Sequence, residues 1–239
     1  MKILAHLLII IAFVAQAGCS SSKVNEYGLT VISKSSDYIS KTNIDSQYQM
    51  VDVKKYVTSV ILDLRYTTVE NFMHRQLYPK IQSTYLRLPA VRALQIANEE
   101  FLKKNFTIKI FDAYRPYSVT EEMWDQVHDA RYAADPAKGS GHNRGIAVDI
   151  TLVDLDTGDP LAMGTEFDNF SDTAHTEFIH LPSSILENRH LLVSTMKNSG
   201  FESLDTEWWH FYLPDAEKFD LLDLSFRQLD RLTKDQQLN

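Results

Sequence analysis

A single cysteine, Cys19, stands in a chain of 239 residues. No intramolecular disulfide is therefore possible, and a structural zinc site built on several cysteines is excluded. Whatever this chain folds into is held by buried apolar surface, and a hydrophobic content of 44%, with 11% aromatic residues, is enough for that. The length predicts one globular domain rather than two. Eight Gly and seven Pro are too few for a collagen-like or low-complexity chain, and the composition excludes a coiled coil or wholesale disorder. The 24 Lys+Arg against 32 Asp+Glu give a formal charge of -8 without any basic cluster, so the chain is not built to grip nucleic-acid phosphates.

The N-terminus carries its own signal. Lys2 is followed by an apolar run from Ile3 to Ala17, broken by His6 and Gln16. The run is short for a bilayer span and of the right length for a signal-peptide core, so residues 1–18 are expected to be absent from the mature fold. Cys19 follows directly, in AQAGCSSS. This arrangement resembles the lipobox of bacterial lipoproteins, in which that cysteine is lipidated and becomes the first residue. Ala15-Gln16-Ala17 reads equally as an ordinary A-x-A cleavage site. Both readings export the protein. The lipobox resemblance implies a periplasmic protein tethered to a membrane through Cys19, and Ser20 implies delivery to the outer membrane in a host that has one.

Residues 19–50 are rich in Ser, Lys, Asn, Asp and Tyr without sustained periodicity, and predict a flexible tether, with the folded domain spanning 51–239. Within it, LRLPAVRALQIANEEFLKKN places Leu88, Val91, Leu94, Ala97 and Phe101 on one helical stripe, with Pro89 suited to the first turn and Asn105 to the end. FTIKIFDAY alternates as a strand does, and IAVDITLVD is a second, β-branched strand. SVTEEMWDQVHDARYA predicts a helix capped by Ser118 or Thr120, and PSSILENRHLLVSTMKNSG another that stops at Gly200. EWWHFYL predicts a last, aromatic strand. Helices and strands mix without a strict βαβ rhythm, which predicts an α+β fold: a central, mainly antiparallel sheet flanked by helices, in one catalytic domain.

Two segments hold residue types that a fold alone does not require. In SGHNRGIAVD, residues 140–149, His142 sits in a Gly-flanked loop and Asp149 on the strand that follows; in EWWH, residues 207–210, an acid and a histidine bracket two tryptophans. Two imidazoles and one carboxylate make a three-ligand zinc shell with a fourth position left for water, the composition of a hydrolytic site. A spare carboxylate, Glu207, would serve as base toward that water and then deliver the proton to a leaving amine. In a regular strand Glu207 and His210 face opposite sides, so the chain must bend or bulge there. Taken alone, EWWH is more economically a core strand with a satisfied histidine, and a His-x6-Asp pair a loop histidine near a surface acid. Both together in one exported chain point to chemistry.

SGHNRGIAVDITL resembles the SxHxxGxAxD motif, and EWWH the ExxH-type motif, of the zinc-dependent D-alanyl-D-alanine dipeptidases, a family related to other D-alanyl-D-alanine-cleaving and cell-wall metallopeptidases. The resemblance runs from about Val51 to Leu213 and includes LDLRYTTVENF, DAYRP and MGTEFD. It implies that His142, Asp149 and His210 bind one Zn2+ per chain, that Glu207 is the catalytic base, and that Arg115 stabilises the tetrahedral intermediate. A guanidinium suits that role because it stays charged and donates in a planar fork. The resemblance also places Tyr66, Ser140 and Asp168 in the substrate cavity, with Asp168 either pairing with the ammonium of a free dipeptide or ordering its own loop. Asn143, Arg144 and Gly145 are expected to shape the ligand loop. His74, His128, His175, His180 and His190 are expected to have no metal role.

One departure bears on substrate. Between Arg115 and His142 lie 26 residues, a shorter connection than the family pattern, which leaves room for an opened cavity and a peptidoglycan stem peptide. The expected function is exported hydrolysis of the small dipeptide D-alanyl-D-alanine to two D-alanines. The alternatives are a carboxypeptidase or endopeptidase acting on stem peptides, and a non-catalytic lipoprotein that binds cell-wall peptides.

Overall fold

Both β-branched runs read from the sequence become the long strands of one sheet. The computed structural model describes residues 24–235. In chain order these form β1 (Val31–Ile32), α1 (Ser35–Ile44), β2 (Met50–Asp52), the single turn α2 (Val53–Tyr56), β3 (Ile61–Leu62), β4 (Tyr85–Arg87), α3 (Leu88–Leu102), β5 (Phe106–Asp112) and α4 (Tyr117–Val127). There follow the single turn α5 (Gly141–Arg144), β6 (Ala147–Asp154), α6 (Ser183–Asn198), β7 (Glu202–Ser203), β8 (His210–Tyr212), β9 (Leu221–Leu222) and α7 (Phe226–Asp235). The central sheet runs β3-β5-β6-β8-β7, and each neighbouring pair is antiparallel except β3 with β5. The fold is α+β with a mainly antiparallel sheet.

Helix α3 lies along β5 and against α6. Its stripe of Leu88, Val91, Leu94, Ala97 and Phe101 is fully buried, with Pro89 in the first turn and Asn105 in the left-handed conformation (φ 67°) just beyond the end. Each such large side chain taken out of water contributes about 1.5–3 kcal/mol, the kind of stabilisation a chain without cross-links relies on. In β6 every residue from Ala147 to Val153 is buried, as befits a middle strand covered on both faces.

The register of the sheet sets up the chemistry. Ile110 pairs with Ile150, but Asp112 pairs with Asp149, so Phe111 is the extra residue of a β-bulge in β5. Asp149 pairs on its other side with His210. Directly opposed residues of antiparallel strands share a face, so Asp112, Asp149 and His210 form one row across three strands. Without the bulge, Asp112 would not share the face of Asp149.

Three local expectations are corrected. Of the stretch expected as a tether, the described part 24–50 is built into the domain: β1 pairs with β9, and α1 buries Tyr38, whose hydroxyl accepts a hydrogen bond from the Met50 amide at 2.7 Å. The second predicted helix begins at Tyr117 behind Pro116, without a side-chain cap, because Ser118 instead donates to Asp223 and the Thr120 hydroxyl accepts from Asn143. It also ends early, at Val127, where His128 turns left-handed (φ 48°). Cys19 and the segment 1–18 lie outside the described residues.

Candidate metal centre and its cavity

His142 is presented by the single turn α5. The Ser140 hydroxyl accepts from the His142 amide (3.2 Å), and the Asn143 side-chain oxygen accepts from the Ser140 amide (2.9 Å), which closes a reciprocal cap on the turn. Gly145 ends it in the left-handed region (φ 72°), where any Cβ would meet the Met50 sulfur at 2.5 Å. Asn143 also donates to the Arg115 carbonyl (3.0 Å) and to the Thr120 hydroxyl (2.8 Å), tying this turn to the corner that carries Arg115. The sequence reading thus placed Asn143 and Gly145 in the ligand loop, and the contacts give each a reason.

His142 Nδ1 lies 2.7 Å from the Ala113 carbonyl oxygen. A carbonyl can only accept, so Nδ1 carries the proton and Nε2 presents its lone pair. That Nε2 is 3.2 Å from His210 Nδ1 and 3.4 Å from Asp149 Oδ2, while His210 Nδ1 is 2.8 Å from Asp149 Oδ1. One donor atom each from His142, Asp149 and His210 thus converges on a common point, all within 4.8 Å of one another. Tetrahedral coordination at about 2.0–2.1 Å holds its donors roughly 3.3 Å apart, and two of these three separations match it. The donor set fits zinc: two imidazoles, one carboxylate and an outer carbonyl that fixes the tautomer of one imidazole.

The bend demanded by the spacing of Glu207 and His210 is present. β8 begins only at His210, and the His210 amide donates to the Glu207 carbonyl (3.3 Å) across a turn containing Trp208 and Trp209. Both tryptophans are buried; the Trp208 indole donates to Thr165 (2.8 Å), and the Trp209 carbonyl accepts from the Ile150 amide. Glu207 Oε2 ends 3.9 Å from His210 Nδ1, beside the three-donor cluster and not within it.

Across the cavity, Arg115 is nearly enclosed. Its Nε and Nη2 both donate to Asp112 Oδ2 (3.0 and 2.9 Å), and its guanidinium lies over the Tyr66 ring, 5.2 Å from the centroid. Asp112 is held in turn by the Tyr78 hydroxyl (3.0 Å) and the Ala113 amide (2.9 Å). Asp112 and Tyr78 were not singled out from the sequence. Asp112 stands in the DAYRP motif itself, three residues before Arg115, which was the available signal; Tyr78 carries none. The Tyr66 hydroxyl donates to Asp168 Oδ1 (3.1 Å), and Asp168 adopts the left-handed conformation (φ 60°).

Charge in this enclosure follows from burial and neighbours. Burial would raise the Asp149 carboxyl, but His142 and His210 outweigh it and hold it well below the usual carboxylate range. Burial pushes the Glu207 carboxyl up to about 7, against the opposing pull of His210. Asp168 is pushed well up by burial and by the negative charges of Asp149 and Glu207.

The cavity has a volume of about 250 Å³. Tyr66, Arg115, Ser140, His142, Asp149, Asp168, Glu207 and His210 all line it, so the candidate ligand, base, oxyanion and substrate residues come together at one place, while Asn143, Arg144 and Gly145 stand behind it. The short connection between Arg115 and His142 still supplies a wall, through Ala130 to Ala134. His74, His128, His175, His180 and His190 do not line the cavity.

A family model described as D-ala-D-ala dipeptidase matches residues 46–230. The D-alanyl-D-alanine dipeptidase of Escherichia coli (strain K12) is 32% identical over 174 residues, covering 73% of this chain and 89% of that protein. The D-alanyl-D-alanine dipeptidase of Enterococcus faecium is 30% identical over 181 residues, covering 66% of this chain and 88% of its own length. That of Streptomyces coelicolor (strain ATCC BAA-471 / A3(2) / M145) is 30% identical over 182 residues, covering 68% and 90%.

Proposed function

The chain belongs to the D-ala-D-ala dipeptidase family of peptidases, and on that premise we propose that it hydrolyses free D-alanyl-D-alanine to two D-alanines with one zinc ion held by His142, Asp149 and His210. The observation that carries this reading is the convergence of those three donors in a small cavity that also contains an unligated carboxylate, Glu207, and a guanidinium, Arg115. When bound, the zinc ion supplies Lewis acidity, polarising the scissile carbonyl and lowering the pKa of water.

The chain's own groups do the rest. Glu207 accepts the proton of the water that attacks the carbonyl carbon, and later gives it to the departing amine nitrogen as the C–N bond breaks. Arg115 spends Nε and Nη2 on Asp112, which leaves Nη1 to donate to the oxygen on which charge develops. Asp168, at the end reached by Tyr66, pairs with the ammonium of the dipeptide and so favours a free N-terminus. Ala130–Ala134, Trp209 and Tyr66 wall the cavity around the reacting groups.

Incubation of the zinc-loaded protein with free D-alanyl-D-alanine, with and without a chelator, tests the proposal. Release of two D-alanines that stops on chelation supports it; inertness toward the dipeptide overturns it. Export and anchoring belong to the same proposal: the apolar run 3–17 and the small residues before Cys19 support a lipid-anchored, periplasmic enzyme. Cys19→Ser is then expected to release the protein from membranes or stall its processing, and a wild type that fractionates as soluble with an unmodified Cys19 contradicts it.

A further inference from the structure

Two buried side-chain atoms, Arg65 Nε and Thr151 Oγ1, have no hydrogen-bond partner among the described residues. Both residues line one cavity, of about 460 Å³, that shares no lining residue with the metal cavity. The sheet register explains their meeting. Thr151, 2% exposed, stands directly opposite Lys109 in the pairing of β5 with β6, and lies two residues from Asp149, on the same face of the sheet. Phe167 is the partition between the two cavities. It lines the second one, stacked on Phe111 with centroids 4.8 Å apart, and meets Trp209 and Tyr66 of the metal cavity at 5.4 and 6.1 Å.

A buried polar atom left unpaired is destabilising, and folded chains keep few of them. Here the two stand in one cavity with a third donor. Arg65 is held in place, its Nη2 on Asp63 (3.0 Å) and its guanidinium 5.1 Å from the centre of the Phe111 ring, which leaves Nε to spare. Half-buried Lys109 also lines the cavity and makes no hydrogen bond or ion pair among the described residues. We infer that this cavity is a second binding site, for a small organic monocarboxylate. Its carboxylate accepts from Arg65 Nε, the Lys109 ammonium and the Thr151 hydroxyl, and its apolar part lies against Phe111, Phe167 and Trp208. Asp63 beside Arg65, and exposed Glu166, which also lines the cavity, disfavour a doubly charged inorganic oxyanion through like-charge repulsion. A free amino acid offers the same carboxylate and adds an ammonium suited to Glu166.

The test is titration of the zinc-loaded protein with sodium propionate, D-alanine and sodium sulfate, followed in proton–nitrogen correlation spectra of wild type, Thr151→Val and Lys109→Met. Propionate is expected to move the Thr151 and Phe167 amide signals saturably. Each variant should raise the Kd read at those signals by about tenfold or more, as loss of a hydrogen bond to a charged acceptor does. Signals around His142, where a carboxylate can also meet the zinc, should respond alike in all three proteins. D-alanine binding more tightly than propionate identifies an amino acid as the occupant, and equal binding a plain carboxylate; both support the site. Thr151→Val conserves volume and Lys109 is only half-buried, so one variant remains readable if the other fails to fold. Shifts confined to the metal cavity, a Kd at Thr151 or Phe167 that neither folded variant changes, or sulfate binding as tightly as propionate overturns the assignment.

Discussion

Asp112 binds Arg115 side-on through a single oxygen: Oδ2 accepts from both Nε and Nη2, at 3.0 and 2.9 Å, and Oδ1 is left to Tyr78 and the Ala113 amide. The pair is nearly sealed from solvent, with side-chain exposures of 9% for Arg115 and 1% for Asp112. A guanidinium clamped on one edge has a fixed direction and little rotational freedom left to lose on meeting a developing oxyanion. Arg115→Ala should therefore keep its zinc and lose about 10² to 10³-fold, chiefly in kcat, because the partner charge appears in the transition state. Asp112→Asn should lose less, about 10 to 100-fold, as supporting partners of a site commonly do. Zinc analysis beside steady-state kinetics on D-alanyl-D-alanine checks both, and a rise in KM alone for Arg115→Ala would instead assign this arginine to ground-state binding of the substrate carboxylate.

The two imidazoles are expected to act as a pair. His142→Ala and His210→Ala should each bring zinc well below one ion per chain while leaving the far-ultraviolet spectrum intact, since neither residue supports the hydrophobic core. Metal analysis after dialysis against dilute chelator reads this out. Full occupancy in both variants would remove the three-donor assignment.

Arg189 makes a prediction about stability. It is 3% exposed, and its guanidinium donates to three backbone carbonyls, those of Met163 (2.7 Å), His175 (2.9 Å) and Thr173 (2.8 Å). These bonds pin α6 to both ends of the segment that carries Asp168. Arg189→Ala leaves those carbonyls without their donor, and should lower stability by about 2–4 kcal/mol. Denaturant unfolding checks the figure, and a loss below about 0.5 kcal/mol would mean that water replaces all three bonds.

Much of this was legible in the sequence, and the boundary has physical causes. The stripe of α3 and the runs of β5 and β6 are long and periodic, so local pattern and tertiary packing agree on them. The residues proposed here as metal ligands and base were picked out through motif resemblance, and the spacing of Glu207 and His210 required the turn that the structure contains. The role of Asp112 was not legible, because it depends on a bulge at Phe111 that turns it toward Asp149, and no local pattern marks a bulge. α1 was missed because it buries little beyond Tyr38 and Thr42, and the segment's hold on the domain comes from a pairing with β9 far along the chain.

The central claim is that Glu207 moves protons and does not hold the metal, and the measurement that tests it most directly is zinc content and turnover taken side by side on Glu207→Gln. Glu207 Oε2 stands 3.9 Å from His210 Nδ1, outside the convergent set. The account predicts one zinc per chain in the variant, as in the wild type, with kcat on D-alanyl-D-alanine reduced by about 10² to 10⁴-fold, the usual worth of a positioned base. A Glu207→Gln protein that loses its zinc, or that keeps near-normal turnover, would contradict it.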